Sequence, residues 1–319
     1  MYNLEYRQLG KTGIYVSRLC FGSLTIGPAQ SNLSIDDGAE VILKAFDCGV
    51  NFIDTAKLYK TYGYIKRALE ISKKQNIVIS SRSYDYTYDG MKKSLDEALH
   101  ALSAKSIDIF GLHEQEDVYT LKGHHDAIRC LMDAKKEGKI KAISISTHNI
   151  KAVEAASIMP EIDVIFPLLN YKGIGIGDGD AKGMENAIHK AKLNGKGIYT
   201  MKPIGGGNLI GEVEKSLKYV IDNQDIDSIA VGMQSENEVI ANSMVFEGKE
   251  VPSDIKKTLR NTKRRLLIDW WCEGCGKCVE RCSMGALKIV NGKSCVNPDL
   301  CRLCGYCSTV CPQFCIKII

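Results

Sequence analysis

The chain has 319 residues, 45% hydrophobic and 25% charged, with a formal net charge of +4 at pH 7. These globular values exclude a disordered chain, and so small a charge argues against nucleic acid as a partner. No segment approaches the roughly 18 uninterrupted apolar residues of a membrane span. MYNLEYRQLG has neither the charged start nor the apolar run of a signal peptide, so the expected location is the cytoplasm.

In chain order, strands are predicted over 16–22, 51–56, 76–82, 106–113, 140–147, 163–170, 197–203 and 227–233. Amphipathic helical patterns separate them. In SIDDGAEVILKAFDCG, Ser34 is the predicted N-cap and Gly49 the stop. Strands apolar on both faces, alternating with helices, predict a parallel sheet covered by helices. Eight such units in about 220 residues fit an α/β fold of the (β/α)8 TIM-barrel type better than an open doubly wound sheet. The predicted organisation is a barrel over 1–250, a basic helical linker over 251–269 and a small α+β module over 270–319. In the linker, Lys256, Lys257, Arg260, Lys263, Arg264 and Arg265 form a basic flank. It reads as a solvated helix face, with docking of an acidic electron-carrier protein as the functional alternative.

Cysteine usage is lopsided. Only Cys20, Cys48 and Cys130 lie in the first 271 residues, and ten lie in the last 48. In a reducing compartment such density points to metal-bound thiolates rather than disulfides. CEGCGKCVERCS and CRLCGYCSTVCP repeat one spacing. In Cys-x2-Cys-x2-Cys the three sulfurs converge on one centre, and the fourth cysteine ligates the other cluster. That logic assigns Cys272, Cys275, Cys278 and Cys311 to one [4Fe–4S] cluster, and Cys301, Cys304, Cys307 and Cys282 to a second. A pair of zinc sites is the alternative, since Cys-x2-Cys also occurs in zinc ribbons. The module resembles a bacterial-type two-cluster ferredoxin over roughly residues 268 to 319, with Ser283 where a proline is usual. Cys295 and Cys315 fall outside the spacing and read as packing residues.

Active sites of such barrels lie at the C-terminal ends of the strands. Those ends carry Asp54, with Tyr59 five residues on, then Arg82 and His113. Singly, each has a structural explanation: a helix cap, a packing ring, a satisfied core histidine. Convergent, they form a proton-transfer site in which the phenol gives or takes the proton, the cation lowers its pKa and histidine orients the oxygen. EYRQLGKTGIYVSRLCFGS, FIDTAKLY and LHEQ resemble the aldo/keto reductases over residues 4 to about 245. The resemblance implies a (β/α)8 barrel, a nicotinamide cofactor and an Asp, Tyr, Lys, His tetrad. Asp54, Tyr59 and His113 match, and Arg82 stands in the lysine's place.

The resemblance also implies cofactor positions. Gly22 ends the first barrel strand and Ser23 follows it, Ser146 matches a carboxamide-holding residue, and Thr147 replaces the usual asparagine. Met201 replaces the ring that stacks on nicotinamide, and Lys202 and Pro203 follow it. Gly205 and Gly206, with Gly207, offer backbone amides to a pyrophosphate. After the last barrel strand, Gly232, Met233, Gln234, Ser235, Glu238 and Asn242 open a helix suited to a phosphate. Met233 and Glu238 stand where NADPH-selective members carry cations, so a carboxylate beside the 2′-phosphate predicts NAD(H) over NADP(H).

Tyr84, Tyr86 and Tyr171 are candidate contacts for a small-molecule substrate. Three functions are open to such a chain. One is an iron–sulfur oxidoreductase, carbonyl or alcohol redox at the barrel mouth coupled to two clusters, with or without flavin. The others are a nicotinamide-dependent reductase with structural clusters, and an electron carrier with a scaffold barrel.

Overall fold

The computed structural model describes residues 3–72, 74 and 76–319. An antiparallel hairpin, Tyr6–Gln8 (β1) and Tyr15–Ser17 (β2), opens the chain. Eight parallel strands then close a barrel: Leu19–Gly22 (β3), Phe52–Asp54 (β4), Val78–Ser83 (β5), Ile107–Leu112 (β6), Ile140–Thr147 (β7), Val164–Pro167 (β8), Gly197–Met201 (β9) and Ser228–Gly232 (β10). β10 pairs with β3 to complete the circle. The predicted (β/α)8 barrel is therefore the fold.

The first predicted strand, 16–22, divides at Arg18 between β2 and β3. There the buried Arg18 guanidinium donates to the carbonyls of Ile226 and Ile221, pinning the bend. Helix Ile35–Asp47 starts as its cap dictates, with Ser34 Oγ accepting the Asp37 N–H at 3.1 Å. Gly49, at φ +90°, stops it in the left-handed region.

Strand alternation builds two cores. Leu19, Phe21 and Ile53 point outward beneath the helices. Cys20, Phe52, Val78, Ile109 and Tyr199 point into the barrel, where Leu9 and Ile14 from the hairpin join them. Gly10 lets the hairpin press on β9, since a Cβ there would meet the Gly197 nitrogen at 2.2 Å.

Beyond the barrel, a linker helix spans Ser253–Asn261. Leu266–Ile268 (β11) pairs with Ile316–Ile318 (β14), and Leu287–Val290 (β12) pairs with Lys293–Val296 (β13), both antiparallel. Phe314 leaves this module and is buried among barrel-interior residues such as Met201, Leu168 and Tyr199. Its ring fits against Gly175 and Gly206, where a Cβ would come within 2.9 and 3.2 Å of it. Among the described residues no helix is long and apolar enough to cross a membrane.

Candidate active site

Asp54 ends β4 and Arg82 lies in β5, so neighbouring parallel strands deliver an anion and a cation to one level of the barrel. The guanidinium grips the carboxylate as a fork, Nη1 to Oδ1 at 2.6 Å and Nη2 to Oδ2 at 2.9 Å. Nη2 also donates to the Tyr59 hydroxyl at 3.0 Å. Tyr59 comes from the short turn Lys57–Tyr59 that follows β4. His113, directly after β6, meets the Tyr59 ring edge-on at 5.7 Å.

Two further residues complete this centre, and neither is flagged by motif. Tyr199 donates to Asp54 Oδ1 at 3.0 Å and shares a 2.8 Å hydrogen bond with Ser80. Phe166 stacks on Tyr199 at 3.9 Å and lies 4.7 Å from the guanidinium carbon. Arg82 is thus held between the Phe166 and Tyr59 rings, a slot for a planar cation. Inward alternation along β9 is the signal that selects Tyr199 alongside Met201.

The electrostatics follow from burial. Burial opposes the charge of Arg82, but Asp54 and Tyr59 more than offset this and hold its pKa above the ordinary value. Tyr59 is raised, because burial outweighs Arg82 and Asp54 adds to burial. Arg82 lowers this phenol as expected, by its charge and its hydrogen bond, but burial outweighs it and Tyr59 stays protonated. Burial, with Arg82 and Lys202 nearby, pushes His113 well below its usual pKa, so the imidazole is neutral.

Asp54, Tyr59 and Arg82 open into a cleft of about 810 Å³. Met201, Lys202, Gly206 and Gly207 form one side, and Gly22, Gly232, Glu238 and Asn242 another. The linker and the C-terminal strand close it with Arg260, Arg264 and Lys317.

A model of the aldo/keto reductase family matches residues 18–243. The chain belongs to the aldo/keto reductase family. L-galactose dehydrogenase of Arabidopsis thaliana is 25% identical to this reductase over 290 residues, covering 76% of this chain and 88% of the relative. A 6-dehydroglucose reductase of Novosphingobium aromaticivorans is 25% identical over 249 residues, covering 72% and 78%. A solved aldo-keto reductase from Bacillus halodurans in its holo form superposes with a TM-score of 0.65 at 18% identity, covering 81% of this chain and 96% of its own. The protein is an oxidoreductase.

The reductase's expected cofactor residues divide in two. Gly22, Met201, Lys202, Pro203, Gly206, Gly232, Gln234, Glu238 and Asn242 line the cleft. The rest are engaged elsewhere. Ser23 bonds Thr61 at 2.8 Å, and Ser146 accepts the Glu114 N–H at 2.9 Å. Thr147 accepts the Asn149 N–H at 2.8 Å, and Met233 is core. Ser235 caps helix Glu236–Phe246, and the Cβ position of Gly205 faces Leu209 and Ile174. The glycine run has a packing role that its sequence hides: a Cβ on Gly207 would stand 1.9 Å from the Ile318 oxygen. These glycines seat the C-terminal strand against the mouth.

The other expectations shift similarly. Lys257, Arg260, Lys263 and Arg265 are exposed, as a solvated flank requires, and Lys256, Arg260 and Arg264 also line the cleft. Glu238 is not a lone carboxylate: it accepts the Gln234 N–H at 2.7 Å and pairs with Arg264 at 3.6 Å. The repulsion behind the NAD(H) expectation thus loses its premise. Tyr84 stacks on His113 at 4.2 Å and donates to Glu114 at 2.5 Å. Tyr171 donates to Glu212, while Tyr86 lies against His124 at 6.3 Å. Lys202, left-handed at φ +59° although it precedes a proline, places Nζ 2.7 Å from His148 Nε2. Burial lowers its amine to about 8, with Glu114 and Asp269 opposing.

In the C-terminal module, Cys272, Cys275, Cys278 and Cys311 wall one cavity and Cys282, Cys301, Cys304 and Cys307 another. These are the two crossed sets that the spacing assigns. Cys315, read from sequence as packing, is buried but also lines the first cavity, with its sulfur 3.4 Å from that of Cys311. The backbone N–H of Ser294 points to Cys272 Sγ at 3.4 Å and that of Ala286 to Cys282 Sγ at 3.3 Å. Among the described residues no three His, Cys, Asp or Glu side chains are arranged to hold a single metal ion. The iron–sulfur assignment therefore rests on spacing and on these shared cavities.

Proposed function

We propose that this reductase interconverts a carbonyl and an alcohol at Tyr59, using a nicotinamide dinucleotide bound along the cleft, and that its cysteine module holds two [4Fe–4S] clusters. The observation that carries the first part is the Arg82 fork, bound to both Asp54 oxygens and to the Tyr59 hydroxyl at the floor of the cleft. Because the Tyr59 oxygen accepts from Arg82, its own O–H is left to donate to a substrate oxygen. Neutral His113 packs edge-on against the Tyr59 ring at 5.7 Å without adding charge. Asp54, fixed by Arg82 and Tyr199, keeps the guanidinium in register. In the alcohol-to-carbonyl direction the same phenolic oxygen takes the proton back.

Bound nicotinamide exchanges a hydride, and bound clusters exchange electrons singly. The donor sets suit such clusters: four soft thiols per cavity, with backbone N–H groups aimed at sulfur. Leu303 lines both the second cysteine cavity and the active cleft, which supports coupling between module and barrel. Met201, in place of a stacking ring, favours flavin in the same cleft as a second reading. Coupling a hydride pair to single-electron clusters would require a mediator such as that flavin, with an external electron carrier as the clusters' partner.

Anaerobically purified protein should contain about eight iron and eight sulfide per chain, and it should reduce carbonyls with a nicotinamide donor in a Tyr59-dependent way. Turnover retained by Tyr59→Phe refutes the proton-donor role. Iron far below eight refutes the clusters.

A further inference from the structure

Five thiols wall the first cysteine cavity: Cys272, Cys275, Cys278, Cys311 and Cys315. A [4Fe–4S] cube takes four protein thiolates, one on each iron, so one of the five is surplus. The Cys311 and Cys315 sulfurs lie 3.4 Å apart. Ligands on different corners of a cube point away from one another, so two sulfurs this close can address only a single corner. Spacing alone gives that corner to Cys311, yet packing equips Cys315 for it equally well. Cys311 ends the short turn Ser308–Val310 and is partly exposed. Cys315 is 1% exposed, and its carbonyl accepts the Asp269 N–H at 2.8 Å, continuing the β11–β14 ladder. Between them Phe314, at φ +47°, occupies the left-handed region that bulky residues seldom enter. Across that turn the Phe314 ring lies in the barrel core, and the Cys315 side chain lies in the module.

We propose that Cys315 is a second ligand for the fourth corner of the cluster in the first cavity, and that the corner passes between Cys311 and Cys315. The inference rests on the cluster reading above. The exchange is a substitution at one iron with no electron gained or lost. The Cys315 thiol gives up its proton as its sulfur binds, the bond from iron to Cys311 breaks, and Cys311 takes up a proton. Through Cys311 the module would hold its cluster on a surface turn. Through Cys315 it would hold the cluster one residue from a ring seated in the barrel, 4.8 Å from Lys202 Nζ. The same corner thus has a loose and a barrel-anchored holder.

The test is iron and sulfide analysis of the full chain, purified without oxygen, with electron paramagnetic resonance of its oxidised and reduced forms. None of these readouts needs turnover. The wild type and Cys311→Ala should both hold about eight iron, because Cys315 takes the vacated corner. Cys275→Ala and the double variant Cys311→Ala/Cys315→Ala should fall to about seven or fewer, with the signal of a three-iron cluster or of none at this site. Cys315→Ala should keep its iron yet release it to a chelator faster than the wild type does. That variant retains all four ligands of the spacing, so it tests the inference even if circular dichroism shows Cys311→Ala to be unfolded. An iron loss in folded Cys311→Ala as large as in the double variant overturns the inference, as does equal release from Cys315→Ala and the wild type. Either result leaves the cluster reading standing, whereas wild-type iron far below eight overturns both.

Discussion

Removing Arg82 should expose how the site floor is held together. Arg82→Met deletes the donors at 2.6 and 2.9 Å and leaves Asp54 buried with the Tyr199 hydroxyl at 3.0 Å as its remaining donor. Breaking a buried pair by removing one partner costs about 3–5 kcal/mol, since the other charge stays uncompensated. Asp54→Leu should cost a similar amount by stranding the guanidinium, whose Nε already has no hydrogen-bond partner among the described residues. The double variant strands neither charge, and Tyr199 keeps Ser80 at 2.8 Å. Its cost should therefore fall well below the sum of the singles, giving a coupling of about 3 kcal/mol. The assay is urea unfolding followed by far-ultraviolet circular dichroism, with a common slope across the four proteins. Additivity within about 0.5 kcal/mol would refute the view that the fork is the energetic core of the site.

Other perturbations read other parts of the molecule. Tyr59→Phe should lower turnover by roughly 10²- to 10⁴-fold while leaving nucleotide binding intact, measured by steady-state kinetics and titration. Lys202 titrates near 8 because burial lowers it, so it is protonated below that pH. Binding of an anionic dinucleotide should then tighten as pH falls from about 9.5 to 7, and Lys202→Met should flatten the profile. Gly207→Ala would drive a Cβ to within 1.9 Å of the Ile318 oxygen at φ +85°. It should loosen the C-terminal strand, seen as faster proteolysis beyond residue 250. Cys304→Ala should halve the iron content while sparing the cluster on Cys272, Cys275, Cys278 and Cys311.

The barrel was legible because each strand is a short apolar run closed by a turn, a signal that survives without tertiary knowledge. Asp54, Tyr59, Arg82 and His113 were legible because strand ends in such a barrel converge by geometry. Tyr199 and Phe166 were not, since an inward-facing aromatic on a barrel strand reads as ordinary core until the residue beneath it is known to be charged. The packing role of the glycine run was hidden for a related cause. Consecutive left-handed glycines serve a phosphate or a docking strand equally well, and Ile318 lies 111 residues further on. The basic linker likewise has no visible address in sequence, because its helix acquires meaning only when packed across helix Glu236–Phe246.

Phe314 shows that the cysteine module is grafted rather than tethered. Its ring occupies a socket prepared by two glycines on separate barrel loops and crowned by Lys202 and Lys317 at 4.8 and 3.6 Å. A transplant of this tail onto another member of the family would therefore need a recipient with both indentations already carved. Conversely, a barrel shorn of its tail would present an oily dimple beside the reaction floor, inviting solvent to where hydride chemistry must be kept dry.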